Sequence, residues 1–303
     1  SFLMSDTALQ LKPYALPFVK PFVTADRSFS HREGFWVHLE YKANQYYSEL
    51  SPLPSFSKES LKQAQEQLQQ TQAEFLARIG DPPEYFYSWL HPLKLFASVE
   101  WVLSILYEQH IARFSNQVFG ERQQLHHLHH LTPKVPINAV LGITNESQTK
   151  EHLSKLLAQG FKVFKCKVDE AHLDQLIPLL RSLYERNPDI HFRLDANGRW
   201  NPKRLKVISN QLKASALPIE YIEQPLFPCS VDEFRLLQTL SEIDLAADEM
   251  LADAETASAL VEKKATRVLV VKPGLIGSLQ RNLNLIDRAS KNDEEFQRLC
   301  TVP

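Results

Sequence analysis

From residue 137 onward the chain repeats one pattern: a short apolar run that closes on a charged side chain, then a stretch of helical composition. The runs are Ile137-Asn138-Ala139-Val140-Leu141, Val163-Phe164-Lys165-Cys166-Lys167-Val168, Phe192-Arg193-Leu194-Asp195, Tyr221-Ile222-Glu223-Gln224-Pro225, Leu245-Ala246-Ala247-Asp248-Glu249 and Val268-Leu269-Val270-Val271-Lys272. Segments such as 172–186, 202–214 and 278–290 separate them and read as amphipathic helices. Strand–helix alternation at this pitch marks parallel βα units, so a (β/α) barrel or a doubly wound sheet is expected. Six strands are clear, and Leu299-Cys300-Thr301-Val302-Pro303 reads as the opening of a seventh. An open seven-strand barrel would leave an unpaired edge, so the barrel is expected to be incomplete at the C-terminus, with its completion outside this sequence.

The charges at the run ends narrow the reading. Lys167, Asp195, Glu223, Asp248 and Lys272 follow one another at separations of 28, 28, 25 and 24 residues. Each step is one βα repeat, which places all five at the same end of the sheet. Buried parallel strands are normally continuous apolar runs, and an ionised group among them costs several kcal/mol unless it is paired or bound to metal. In barrels, the C-terminal strand ends carry the active site. Asp195, Glu223 and Asp248 are hard oxygen donors with no Cys or His among them, a set suited to Mg²⁺, with Mn²⁺ as a substitute, rather than to zinc or copper. Lys165 and Lys167 stand on one side of the trio and Lys272 on the other. A carboxylate substrate between them predicts proton abstraction α to the carboxylate, with the resulting enediolate stabilised by the metal.

The first third of the chain has a different rhythm. Period-2 alternation and aromatic enrichment in 14–19, 32–40 and 46–50 predict an antiparallel sheet, with Trp36, Tyr46 and Tyr47 as sheet packing. Ser51-Pro52-Leu53-Pro54-Ser55-Phe56-Ser57 is a loop, because two prolines cannot sit in a central strand. Helices are expected over 61–79 and 98–114. The division is therefore an α+β domain over residues 1–96 and a (β/α) domain over 97–303, as suits a chain about twice the usual domain length of roughly 150 residues.

Composition excludes several classes. Lys+Arg 34 against Asp+Glu 36 leaves a formal charge of -2, with no basic excess for nucleic acid or an anionic membrane. No run of 18 apolar residues occurs and no signal-peptide pattern opens the chain, where Ser1-Phe2-Leu3 before Met4 reads as a scar. Cys166, Cys229 and Cys300 are scattered and odd in number, so no disulfide framework is expected and a reducing cytoplasm is the simplest home. Cys166 should pack on the far face of its strand. His126-His127-Leu128-His129-His130 is read as a solvated stretch rather than a metal site, and alternation is expected to turn Glu249 away from the metal.

Lys165-Cys166-Lys167, Asp195-Ala196-Asn197, Glu223-Gln224-Pro225, Asp248-Glu249 and Val271-Lys272-Pro273, in this order, resemble the enolase superfamily in its muconate-lactonising-enzyme subgroup. Residues 49–57 and Arg193-Leu194-Asp195-Ala196-Asn197 are similar to the o-succinylbenzoate synthase family within it. The resemblance implies an α/β chain with an enolase-type modified (β/α) TIM barrel and an N-terminal α+β capping domain. It implies dehydration of 2-succinyl-6-hydroxy-2,4-cyclohexadiene-1-carboxylate to o-succinylbenzoate in menaquinone biosynthesis. Lys167 would remove the α-proton and then help the hydroxyl leave, Lys272 would stabilise the enediolate, and Lys165 and Arg193 would tune the charge. Asn197 would stand behind the ligands, and Pro54, Phe56 and Ser57 would close over the succinyl arm. Two competing expectations are an N-acylamino acid racemase or dipeptide epimerase of the same subgroup, and a silent barrel that only binds a small carboxylate or a partner.

Overall fold

The computed structural model describes residues 8–23, 27–115, 137–169, 172–291 and 298–301. The histidine run 126–130 and the first four residues lie outside the described residues, as does the side chain of Cys300. The chain packs as two compact units, residues 1–129 with 272–287 and residues 130–271 with 288–303. The sequence division at 96/97 assigns 97–114 to the barrel; that helix instead packs within the first unit.

In the first unit, β1 (Ala8–Val23), β2 (Ser28–Tyr41) and β3 (Asn44–Leu50) form an antiparallel sheet in the order β1-β2-β3. Alternation sends Val37, Leu39, Tyr46 and Leu50 into the core. The same alternation leaves Trp36 and Tyr47 on the other, half-exposed face, where Trp36 lies against Tyr14 and Tyr47 stacks on His38. All three aromatics pack on the sheet, Tyr46 on its buried face and Trp36 and Tyr47 on the other. Gly34 is registered opposite Tyr14, and a Cβ there would come within 2.4 Å of the Tyr14 hydroxyl oxygen.

Helix α1 (Leu61–Arg78) begins where the sequence signals it. Ser60 accepts from the Gln63 amide while the Gln63 side chain accepts from Ser60 N–H, a capping box that satisfies two otherwise orphan donors. Its buried residues, Ala64, Leu68, Thr71 and Phe75, follow helical spacing. α2 (Pro83–Leu90) and α3 (Ala97–Phe114) complete the core, with the Phe86 and Tyr107 rings stacked at 3.6 Å between centroids.

His110 of α3 is buried in this core, with its Nδ1 3.0 Å from the Tyr46 hydroxyl. Burial, with Lys42 adding to it, holds its imidazole below the ordinary value. The unfolded chain therefore takes up this proton at a higher pH, near about 6.5, than the folded chain does. The stability contribution is present above that pH and is lost as the pH falls. The urea midpoint should drop between about pH 7.5 and about pH 5.5. His110→Gln, which has nothing to titrate there, should flatten that slope; an equal slope in the variant would assign the loss elsewhere.

The second unit is a seven-stranded sheet in the order β10-β9-β8-β7-β6-β5-β4, parallel throughout. Its strands are β4 (Ala139–Val140), β5 (Val163–Lys167), β6 (His191–Asp195), β7 (Ile219–Glu223), β8 (Leu245–Ala247), β9 (Val268–Val271) and β10 (Arg298–Thr301). Sequential order with every pair parallel is the βα reading made concrete, and β10 is the seventh strand read at Leu299. Helices α4 (Glu146–Ala158), α5 (Leu173–Arg186), α6 (Pro202–Ser215), α7 (Val231–Leu240) and α8 (Ala254–Glu262) connect the strands up to β9. Asn145, Asn201, Ser230 and Asp253 each cap one of them by accepting a backbone N–H. Between β9 and β10 lie α9 (Pro273–Ile276) and α10 (Leu279–Lys291). Among the described residues no helix is long and apolar enough to cross a membrane.

Candidate active site

Register brings the strand-end charges together. Lys167 of β5 pairs with Asp195 of β6, which pairs with Glu223 of β7; one step earlier Lys165, Arg193 and Tyr221 line up in the same way. Residues two apart share a face, so Lys165 and Lys167 stand on the same face as Asp195 and Glu223. Cys166 between the lysines takes the other face and is fully buried, and burial pushes its thiol up to about 12, as packing requires.

Lys165 is the hinge of the group. Its buried Nζ lies 2.9 Å from Glu223 Oε1 and 3.0 Å from Asp195 Oδ2. Burial works against its charge, but the Glu223 and Asp195 carboxylates outweigh that and hold the ammonium well above its ordinary range. Glu223, wholly buried, is pushed far above the usual carboxylate range by burial; Lys165 opposes the shift and the Asp195 and Asp248 carboxylates add to it. Lys167, by contrast, ends β5 exposed.

The turns beyond the strands hold the carboxylates. Asn197, at φ 50, donates its N–H to Asp195 Oδ1 at 3.0 Å, so its backbone orients that carboxylate from behind. Gly198 accepts from Phe227 N–H and donates to the Gln224 carbonyl, and a Cβ on it would meet Phe227 Cβ at 2.6 Å. Gln224 has no assigned task in the sequence reading. It is buried, at φ 35, and its Oε1 accepts the Asp248 N–H at 2.9 Å while its amide donates to the Leu226 carbonyl. It thereby ties the end of β7 to Asp248, and the signal was the motif Glu223-Gln224-Pro225 itself. Asp248 lies just past β8, where a single turn of 3₁₀ helix begins at Glu249. Strand alternation therefore does not govern the direction of Glu249, contrary to the expectation above.

Arg193 is engaged one layer below. Its Nε donates to Glu220 Oε2 at 2.7 Å, its NH1 to Asn138 Oδ1 at 2.8 Å, and its guanidinium lies 5.3 Å over the Tyr221 ring. The remaining candidates belong to the first unit. Lys272 directly follows β9, and its Nζ lies 4.5 Å from the centre of the Phe56 ring. Pro54 is exposed, and Ser57 Oγ accepts the Leu53 N–H at 2.8 Å.

Asp195, Glu223 and Asp248 fit a hard divalent cation on two counts. The donors are all carboxylate oxygens, and Glu223 Oε2 is buried without a hydrogen-bond partner. The buried members are three carboxylates and one ammonium, an excess of negative charge that a divalent cation would balance. Among the described residues no three acidic, imidazole or thiol side chains already stand in coordinating positions; Lys165 Nζ lies between two of the three.

Comparison with known proteins follows the same lines. Residues 148–300 match the family model described as enolase C-terminal domain-like, and residues 7–96 match that of the MenC N-terminal domain. The o-succinylbenzoate synthase of Pasteurella multocida is 30% identical over 296 residues, covering 92% of this chain and 77% of its own length. An L-Ala-D/L-Glu epimerase from Bacillus subtilis superposes at a TM-score of 0.85 with 16% identity, covering 98% of this chain and 82% of that one. The o-succinylbenzoate synthase from Thermosynechococcus elongatus, solved with Mg in its active site, gives 0.73 at 23% identity, covering 97% and 83%.

Proposed function

Because the chain belongs to the o-succinylbenzoate synthase family of the enolase superfamily, we propose that it dehydrates 2-succinyl-6-hydroxy-2,4-cyclohexadiene-1-carboxylate to o-succinylbenzoate and water, a step of menaquinone biosynthesis. The observation that carries this reading is the line of charged strand ends: Lys167, Asp195 and Glu223 in register, with Lys165 salt-bridged to both carboxylates.

Lys167 is the base. It is exposed at the end of β5, whereas Lys165 is committed as an ammonium to two carboxylates. Its amine takes the proton α to the substrate carboxylate, and the ammonium so formed returns a proton to the departing hydroxyl on the same face. The C–H and C–O bonds break, a C=C bond forms, and water leaves. Asp195, Glu223 and Asp248 would hold Mg²⁺, which when bound supplies positive charge to the substrate carboxylate. Lys272 is the second cation for the charge that develops there. Lys165 and the Asn197 amide hold Asp195 in place, and Lys165 does the same for Glu223. Aromatisation of the ring favours the products, so the protein needs chiefly to stabilise the intermediate charge. The site recognises a small carboxylate, and we assign the protein to the cytoplasm.

Purified full-length protein with Mg²⁺ should consume the cyclohexadiene, read as loss of its absorbance; absence of turnover would overturn the reading. Lysines at the ends of β5 and β9 also suit a racemase or epimerase acting on N-acylamino acids or dipeptides. That activity would appear as deuterium exchange at the α-carbon without dehydration. The match of residues 7–96 to the MenC N-terminal domain favours the dehydratase.

A further inference from the structure

Lys272 follows a barrel strand, yet its backbone is anchored within the first unit and its ammonium lies over a ring of that unit. The Lys272 carbonyl accepts the Leu275 N–H at 2.9 Å, closing the first turn of α9. The buried Asn282 amide donates to the carbonyls of Pro273, Gly277 and Ser278. Glu100 of α3 accepts from Ser278 N–H at 2.9 Å and from Arg281 Nε at 2.6 Å. Gly277, at φ 125, lies so close that a Cβ would come within 2.9 Å of Glu100 Oε1. The segment after Lys272 is thus pinned to a buried carboxylate of the cap.

The ammonium is met by an equally fixed aromatic ring. Phe56 sits in a closed turn: Leu53 O accepts from both Phe56 N–H and Ser57 N–H, and Ser57 Oγ accepts from Leu53 N–H. Arg32 of β2 braces the base of the loop by donating to the carbonyls of Ser51 and Pro52. Two independently anchored segments of one unit therefore bring Lys272 Nζ to 4.5 Å from the Phe56 ring centre, within the range where a ring face attracts a cation.

We propose that Phe56 is a positioning residue for Lys272: its ring, fixed by the 53–57 turn, holds the ammonium by a cation–π contact in the place from which it acts. This rests on the assignment of Lys272 to the reaction, and it gives Phe56 a task other than touching the succinyl arm. A positioning ring changes kcat, whereas a substrate contact changes KM.

The test uses the full-length Mg²⁺-loaded protein. Phe56→Leu should lower kcat about tenfold with KM within about twofold, and Phe56→Tyr, which keeps a π face, should restore kcat. Independently of turnover, protein labelled with ε-¹³C lysine should show the Lys272 methylene protons shifted upfield by the ring current. That resonance is identified by its loss in Lys272→Arg, and the shift should vanish in Phe56→Leu and persist in Phe56→Tyr. A Phe56→Leu variant with raised KM and unchanged kcat would overturn the proposal, and so would a Lys272 resonance that does not move. A wild-type protein that shows the shift but no dehydration would instead overturn the proposed activity and leave the Phe56–Lys272 contact standing.

Discussion

Lys167→Ala is expected to lose dehydration by about 10³- to 10⁴-fold while its affinity for Mg²⁺ stays as in the wild type. General acid–base catalysis by one side chain is worth about 10²–10⁴-fold, and Lys167 is assigned both proton transfers, so its loss belongs at the upper end. Metal affinity should hold because Lys167 is exposed at the strand end and is not one of the three assigned ligands, and Lys165, which contacts Asp195 and Glu223, is kept. Lys167→Arg separates two explanations. It keeps a positive charge but cannot surrender a proton near neutral pH, so it should be as inactive as the alanine variant if Lys167 is a base. If Lys167 were only a charge, arginine would recover much of the rate. The measurements are the initial rate of absorbance loss at saturating substrate and a calorimetric Mg²⁺ titration. A Lys167→Ala rate within tenfold of the wild type would remove Lys167 as base.

The contrast between Lys165 and Lys167 also shows what the sequence carried and what it did not. Both lysines, and the three carboxylates one repeat apart, were legible because parallel strands force a common direction and a constant pitch. A charge at each run end has no structural excuse in a buried sheet. The locking of Lys165 was not legible, because its partners stand 30 and 58 positions away on β6 and β7. The same limit applies to Arg193, whose partners Glu220 and Asn138 come from distant segments. The packing of residues 272–287 with the cap was hidden too: a helix after a barrel strand looks alike in sequence wherever it docks. Local signals were weakest where the chain departs from the usual rules. The β2–β3 hairpin turns through Lys42 and Ala43 at φ 49 and 60, without the Asn or Gly such turns favour. β8 stops at Ala247, so period-2 logic could not reach Glu249. The capping box at Ser60 and Gln63 obeyed every rule, and the helix starts there.

Glu223→Gln is expected to lower Mg²⁺ affinity on the order of 100-fold or more, because even partners outside a metal's first shell are worth about 10–100-fold and Glu223 is assigned a place in it. Stability should respond with opposite signs in the two states of the protein. Without metal, wild-type Glu223 is a wholly buried carboxylate crowded by Asp195 and Asp248 and offset by the buried Lys165. A neutral amide removes that repulsion and its Oε1 can still accept from Lys165 Nζ, so the metal-free variant should melt at or above the wild-type temperature. With metal in large excess the order should reverse. The wild type gains about 2.7 kcal/mol when the free ion stands at about 100 times its dissociation constant, and a variant with affinity reduced 100-fold gains only about 0.4 kcal/mol at the same concentration. Thermal scans of both proteins with EDTA and with millimolar Mg²⁺ therefore give a crossed pattern. An unchanged metal titration, or a variant that gains as many degrees from Mg²⁺ as the wild type, would exclude Glu223 from the metal site. A variant destabilised in both conditions would mean that the Lys165–Glu223 pair serves the fold more than the ion.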